Sequence, residues 1–400
     1  MAANTPTDVL IVGLGAMGAA TASQAAKAGL RVVGIDRHRP PHHLGSTHAE
    51  SRITRLAVGE GPQYLPTVRR SHQIWAELEQ RAARPLFHRC GGLIITDPDD
   101  GDADPDPDVD ADADEVRWGD FVTKTQEVAD QAGIEFQQLD RAAALARHPA
   151  LVGLGPNHRV GFEPTAGLVD CEAAVEVQLE LAAQDGAQLR FDERVRRVEP
   201  DADGVDVVTD RGRYRADRVV LAAGPWMADL APAVDAEVLT VTRQVVYWFE
   251  ADDLDRFAID RVPFVMWIGE TIEDYLAVFP PLPGGTPAVK VLGEQFSTTT
   301  DAEAVERSVS AEEIAAFHAT NVSPRVAGIS DRCVAASVCL YTNTPDDHFL
   351  IDTAPASDRI TVVSPCSGHG FKHSAALGEA LAQRLATGTS TIDLSPFARR

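Results

Sequence analysis

The chain has 400 residues, 36 basic and 60 acidic side chains and a formal charge of -24. That length buries most of the surface an unfolded chain exposes, so one large domain or two interleaved ones can stand without disulfide staples. The charge disfavours nucleic acid and anionic membranes and points to a small-molecule partner. Five cysteines without a CxxC pair (Cys90, Cys171, Cys333, Cys339, Cys366) argue against a zinc ribbon or a secreted framework, so the expected setting is the cytoplasm.

The apolar run 9–30 lacks a basic leader and is interrupted by Gln24 and Lys27, so it reads as neither signal peptide nor membrane span. It resolves into a strand over 9–12, the turn Gly13-Leu14-Gly15-Ala16-Met17-Gly18, an alanine-rich helix ending near Gly29, and a strand over 31–35 that ends in Asp36. A GxGxxG turn between strand and helix, with an acid 23 positions after Gly13, predicts a dinucleotide site. Gly13 permits the turn, Gly15 lets the backbone approach a pyrophosphate, and Gly18 lets helix pack on strand. The helix start at Ala16 and Met17 offers amide donors and a partial positive charge. Asp36 would accept ribose hydroxyls and repel a 2'-phosphate, which leaves FAD and NAD.

The segment GSTHAESRITR follows, covering 45–55, with Arg52 and Arg55 three apart. Either arginine offers a planar fork for a carboxylate, or both are solvated. Residues 67–81, 121–132 and 171–183 read as amphipathic helices, and 188–198, 205–209 and 214–222 as strands. The run 97–115 is almost wholly Asp, Ala and Pro. It reads as a mobile surface loop, since Pro107 falls where a calcium loop starting at Asp102 needs glycine.

In 218–226, RVVLAAGPW, a strand enters a turn at Gly224 and Trp226, as at the second dinucleotide contact of FAD proteins and as in ordinary α/β punctuation. The stretch 238–292 is rich in strands and aromatics and predicts an antiparallel sheet facing a pocket, while both ends of the chain predict a parallel sheet. Lys290 sits inside the apolar pattern PAVKVL. It is either an edge-strand gatekeeper or an ammonium over a flavin, stabilising charge that develops on oxygen. Near the C-terminus, SGHGFKHS leads from a strand over 359–364 into a helix over 373–386, and Lys372 opposes the helix dipole. It is either an exposed basic side chain or a ligand for a substrate carboxylate, with the Gly368–Gly370 turn close to a flavin.

Taken together, GSTHAESRITR, TRQVVYWFE, AAGPW, the run CLYT with DHFLID, and SGHGFKHS resemble, in order, the monomeric sarcosine oxidase and N-methyltryptophan oxidase family. The resemblance implies an FAD-binding Rossmann-like domain of α/β class, assembled from 1–85, 150–225 and 340–400, and a substrate domain with an antiparallel sheet from 86–149 and 226–339. It implies a flavin bonded through its 8α carbon to Cys339, Lys290 as the oxygen-activating site, Arg55 and Lys372 as holders of the substrate carboxylate, Arg52 against the flavin ring and His369 near the substrate. Further cofactor contacts are expected at Ser46, Thr47, Ser51, Val195, Gly368, Gly370 and Phe371, and substrate contacts at Glu294 and Tyr341. No metal is expected.

The reaction so implied is oxidation of the C–N bond of a secondary or cyclic amino acid by a monomer, with O2 reduced to H2O2 and the imine hydrolysed. Alternatives are a dehydrogenase passing electrons to a quinone or a protein, and a catalytically silent dinucleotide sensor. Two departures matter. Leu292-Gly293-Glu294-Gln295 lacks the histidine that sarcosine oxidases carry shortly after the lysine, and Ala277-Val278-Phe279-Pro280 lacks the usual glycine. Glu294 could pair with an amine or shift a neighbouring pKa, and sarcosine itself becomes a doubtful substrate.

Overall fold

The computed structural model describes residues 7–97, 121–230, 238–269 and 274–399. Apart from Asp97, the acidic run lies outside them. Two large sheets organise the chain. The first has six strands in the order Leu350–Ala354, Ser357–Ser364, Arg218–Leu221, Val9–Val12, Val32–Ile35 and Gln188–Arg190. All its pairings are parallel except the hairpin formed by the first two strands.

Parallel strands covered on both faces need side chains that tolerate no water, and Val9–Val12 is VLIV with every residue buried. Helices Ala16–Lys27 and Ser374–Thr387 cover one face. They approach closely because their contact is made of small residues: a Cβ added at Gly378 would stand 2.6 Å from Ala20 Cβ.

The second sheet has eight strands, in the order Ile329–Asn343, Thr240–Ala251, Val289–Leu292, Tyr275–Phe279, Phe264–Ile268, Gly92–Thr96, Arg159–Glu163 and Gln137–Leu139. It is antiparallel except where Phe264–Ile268 runs parallel to Gly92–Thr96. Two three-stranded sheets complete the fold, one of Val195–Pro200, Val205–Thr209 and Arg213–Ala216, the other of Ser51–Thr54, Gly167–Asp170 and Phe87–Arg89. No helix among the described residues is long and apolar enough to cross a membrane.

Helices Leu65–Ala82, Phe121–Ala132 and Cys171–Gln184 lie where the apolar periodicity predicts them. Two expected strands are each divided between sheets. The run 188–198 breaks at Asp192, whose φ of 57° turns the chain out of the six-stranded sheet. The run 214–222 breaks at Asp217, leaving Arg213–Ala216 in the small sheet and Arg218–Leu221 beside Val9–Val12.

Candidate active site

The parallel strands end together, and Gly13, Asp36, Ala222 and Pro365, just beyond four of them, line a cavity of about 760 Å³. That is the carboxyl end of an open α/β sheet, where such folds bind ligands. Gly13 has φ of +88°, and a Cβ there would strike the Ala222 carbonyl. A Cβ on Gly18 would run into the Gly13 carbonyl, whereas one on Gly15 would meet nothing nearer than Thr47 Oγ1 at 3.8 Å. Gly13 and Gly18 therefore build the turn, and Gly15 leaves its backbone open to the cavity. Asp36 is buried, its carboxylate accepting from Leu14 N at 2.7 Å and His38 N at 2.8 Å.

The cavity continues from this turn to the eight-stranded sheet. Ala16, Met17, Ser46, Thr47, Val195, Gly224 and Trp226 line it on the nucleotide side, and Arg52, Cys339, Gly368, Gly370 and Phe371 line it farther on. Arg37 lies over the Trp226 ring at 4.9 Å, and Trp226 Nε1 is buried without a hydrogen-bond partner. Arg52 donates to the carbonyls of Ser51 and Ser46, at 2.9 and 2.7 Å. Cys339 Sγ stands 3.9 Å from Nδ1 of His48. Burial pushes the Cys339 thiol up while Arg52 and Lys290 draw it down, with a net rise.

The ionisable side chains in the wall include Arg55, Glu60, Glu294, Asp347 and Lys372. Arg55 is 1 % exposed and Lys372 5 %, so neither is a solvated surface cation. Both point at Glu60, whose Oε2 accepts from Arg55 Nη2 at 2.8 Å and whose Oε1 accepts from Lys372 Nζ at 2.8 Å. Burial raises the Glu60 pKa, but Arg55 and then Lys372 outweigh it and hold it well below the usual carboxylate range. Burial brings Lys372 down to about 8 and His369 down to about 4, so the imidazole is neutral at pH 7. His369 Nε2 lies 3.1 Å from the Asp347 carbonyl, and its ring stacks on Phe349.

Three expected site residues do not face the cavity. Gly18 packs helix on strand. Lys290, 2 % exposed, donates to Ala49 O at 3.0 Å, Ser51 O at 2.6 Å and Ser51 Oγ at 2.9 Å, and lies 4.0 Å from the centre of the Phe279 ring. Ser51 is thereby turned toward the lysine. The edge-strand reading of Lys290 is overturned, because Val289–Leu292 is flanked on both sides by Thr240–Ala251 and Tyr275–Phe279. The lysine supports a turn in which Ala49 and Glu50 hold φ of 70° and 67°, a conformation costly for both residues.

The profile described as FAD dependent oxidoreductase matches residues 8–384. The chain belongs to that family. It is 32 % identical over 393 residues to an N-methyl-L-tryptophan oxidase of Salmonella arizonae, covering 98 % of this chain and 97 % of the relative. It is 33 % identical to a monomeric sarcosine oxidase of Streptomyces avermitilis, with the same coverage. Among solved structures it resembles NikD, an unusual amino acid oxidase essential for nikkomycin biosynthesis, with a TM-score of 0.80, 24 % identity and 99 % and 98 % of the two chains covered. An L-proline dehydrogenase from P. horikoshii gives 0.78 at 15 % identity, covering 99 % and 97 %.

The residues present fit the family's cofactor. The open Cβ direction of Gly15, the buried acceptor Asp36, the unpartnered Trp226 Nε1 and a cavity continuous from Gly13 to Lys372 suit a long dinucleotide. Glu60 and His48 escaped the sequence reading. The signal for Glu60 was its place between Gly59 and Gly61, five residues after Arg55.

Proposed function

We propose that the chain is an FAD-dependent oxidase of secondary or cyclic amino acids, sarcosine-like or N-methylated, that converts the amine to an imine and O2 to H2O2. The observation that carries this reading is a buried pair of cations, Arg55 and Lys372, in the wall of the same cavity that begins at the dinucleotide turn. FAD, when bound, supplies the two-electron acceptor. The residues 1–85, 150–225 and 340–400 would form its domain, with 86–149 and 226–339 forming the substrate domain.

Each side chain then has a task. Arg55 and Lys372 take the substrate carboxylate, with Glu60 yielding its place, and so orient the amine rather than supply acid or base. Neutral His369 offers a polar edge without adding charge. Tyr275 and Tyr341 line the same end, and burial raises both phenols well above their usual range, so they remain protonated donors. With Phe121 against Arg55, this wall favours an N-methyl amino acid with an apolar side chain over sarcosine. Cys339 would bond the flavin, with His48 beside the sulfur. The wider reading is a cytoplasmic monomer with no nucleic-acid or membrane partner.

A panel of N-methyl and cyclic amino acids, scored for anaerobic flavin bleaching and for peroxide release in air, tests the function. Bleaching by none of them would leave the silent-sensor reading, and turnover with a quinone but no oxygen uptake would replace oxidase by dehydrogenase. Acid-precipitated protein should stay yellow and should lose its colour in Cys339→Ser. A bare polypeptide mass from flavin-replete protein removes the covalent bond.

A further inference from the structure

Glu294 lines the cavity, and no cation among the described residues forms an ion pair with it. The strand Val289–Leu292 ends two residues before it, and a reciprocal amide pair fixes the backbone that follows. Gln295 N donates to Gln244 Oε1 at 3.0 Å, and Gln244 Nε2 donates to Gln295 O at 2.9 Å. Gln244 stands opposite Cys339 in the ladder, so the backbone after Glu294 is tied to the strand paired with the one that carries the thiol. Its Oε1 lies beside the turn after Ser367, 3.6 Å from where a Cβ on Gly368 would be.

The carboxylate accepts no hydrogen bond from any described residue. Lys372 is the one cation acting on it among the described residues, yet its ammonium donates to Glu60 at 2.8 Å and to the His369 carbonyl at 2.9 Å, while Arg55, in the same cavity wall, donates to Glu60 and to the Ala57 carbonyl. The other groups acting on it are Tyr275 from strand Tyr275–Phe279, Tyr341 from strand Ile329–Asn343, Asp347 from the following turn, and Glu60 itself. None of these brings a positive charge. Burial, then Asp347 and Glu60, raise the Glu294 pKa to about 8, with Lys372 opposing. A carboxylate left in this state costs free energy that a cation brought by a ligand recovers.

We propose that Glu294 is the counterion for the substrate nitrogen, so that the cavity takes its amino acid as the zwitterion, carboxylate toward Arg55 and Lys372 and ammonium on Glu294. The inference rests on the proposed amino-acid oxidase, and it makes Glu294 a specificity-determining residue: acids of the same shape without a cationic nitrogen are discriminated against.

Two unreactive probes separate the parts. Glycine betaine carries a carboxylate and a fixed positive charge, whereas (methylthio)acetate carries the carboxylate and a neutral sulfur in place of nitrogen. Each is titrated into the flavin-loaded enzyme from pH 7 to pH 9, followed by flavin absorbance. The titration of Lys372 weakens both probes alike, so the ratio of their affinities isolates Glu294. In the wild type that ratio should rise about tenfold in favour of betaine over this range, as a group titrating near 8 ionises. In Glu294→Gln it should be flat, while (methylthio)acetate keeps its affinity and shows that the variant is folded. A flat ratio in the wild type, or a ratio that still rises in Glu294→Gln, overturns the assignment. Binding of neither probe overturns the carboxylate anchor first and the zwitterion with it.

Discussion

Lys372 Nζ and Glu60 Oε1 lie 2.8 Å apart inside the cavity, and Arg55 meets the other oxygen of the same carboxylate. In this structure the fork assigned to a substrate carboxylate already holds one of the protein's own. A ligand carboxylate must therefore compete with Glu60, and the side chain that neutralises two buried cations also sets the cost of entry.

Replacing Glu60 with Gln should accordingly shift two quantities in opposite directions. Ligand-free protein should lose stability by about 3 kcal/mol, since two buried cations lose their counter-charge. (Methylthio)acetate should bind on the order of tenfold tighter, because nothing anionic has to be displaced, and should restore much of the lost melting temperature. Unchanged affinity in the variant would show that Glu60 does not compete.

The glycines of the opening turn should separate folding from cofactor binding. Gly18→Ala forces a methyl onto the Gly13 carbonyl and should cost roughly 1–3 kcal/mol or more, read by urea unfolding. Gly15→Val meets no protein atom close by but fills the approach to the backbone amides, so it should fold and purify with little flavin. A fully flavinylated Gly15→Val would move the phosphates away from this turn.

Lys290 offers a test by pH. Burial, with the Arg52 charge adding to it, brings the ammonium down to about 7, against roughly 10.4 for a free lysine. Between these values the unfolded chain binds more protons than the folded one, so this group's contribution to stability rises with pH and falls away as pH drops toward 7. Lys290→Met removes that dependence. Its stability relative to wild type should decline by up to about 1.4 kcal/mol per pH unit from pH 7 to pH 10, measured by urea unfolding. Parallel curves for the two proteins would mean that the lysine titrates normally.

Much of the nucleotide half was legible because its rules are local. The turn from Gly13 to Gly18 and the acid at Asp36 stand at spacings that backbone geometry dictates, and the structure puts Gly13, Gly15 and Asp36 on one cavity wall. The ordered motifs around Arg55, Cys339 and Lys372 located the other end. Whether a charged side chain is free or already paired was not legible. The contact from Lys372 to Glu60 spans 312 positions, and that from Lys290 to Ser51 spans 239. Neither leaves a periodic trace in sequence. The divided strands at Asp192 and Asp217 were hidden for a different reason, since no glycine or proline marks either break.

The longest ladder among the described residues, Thr240–Ala251 against Ile329–Asn343, sets Gln244 opposite Cys339 and Arg243 opposite Leu340. Side chains alternate along a strand, so sliding this pair by one step would present Leu340 where sulfur now stands and turn Tyr341 away as well. The interruptions in the ladder lie between Trp248 and Ala251, near the far end of Thr240–Ala251 from Gln244. The ladder thus works as a ruler with its slack kept away from the reading edge: a residue inserted beyond Trp248 can be absorbed by the bulges, while one inserted next to Gln244 displaces the thiol and the tyrosine together.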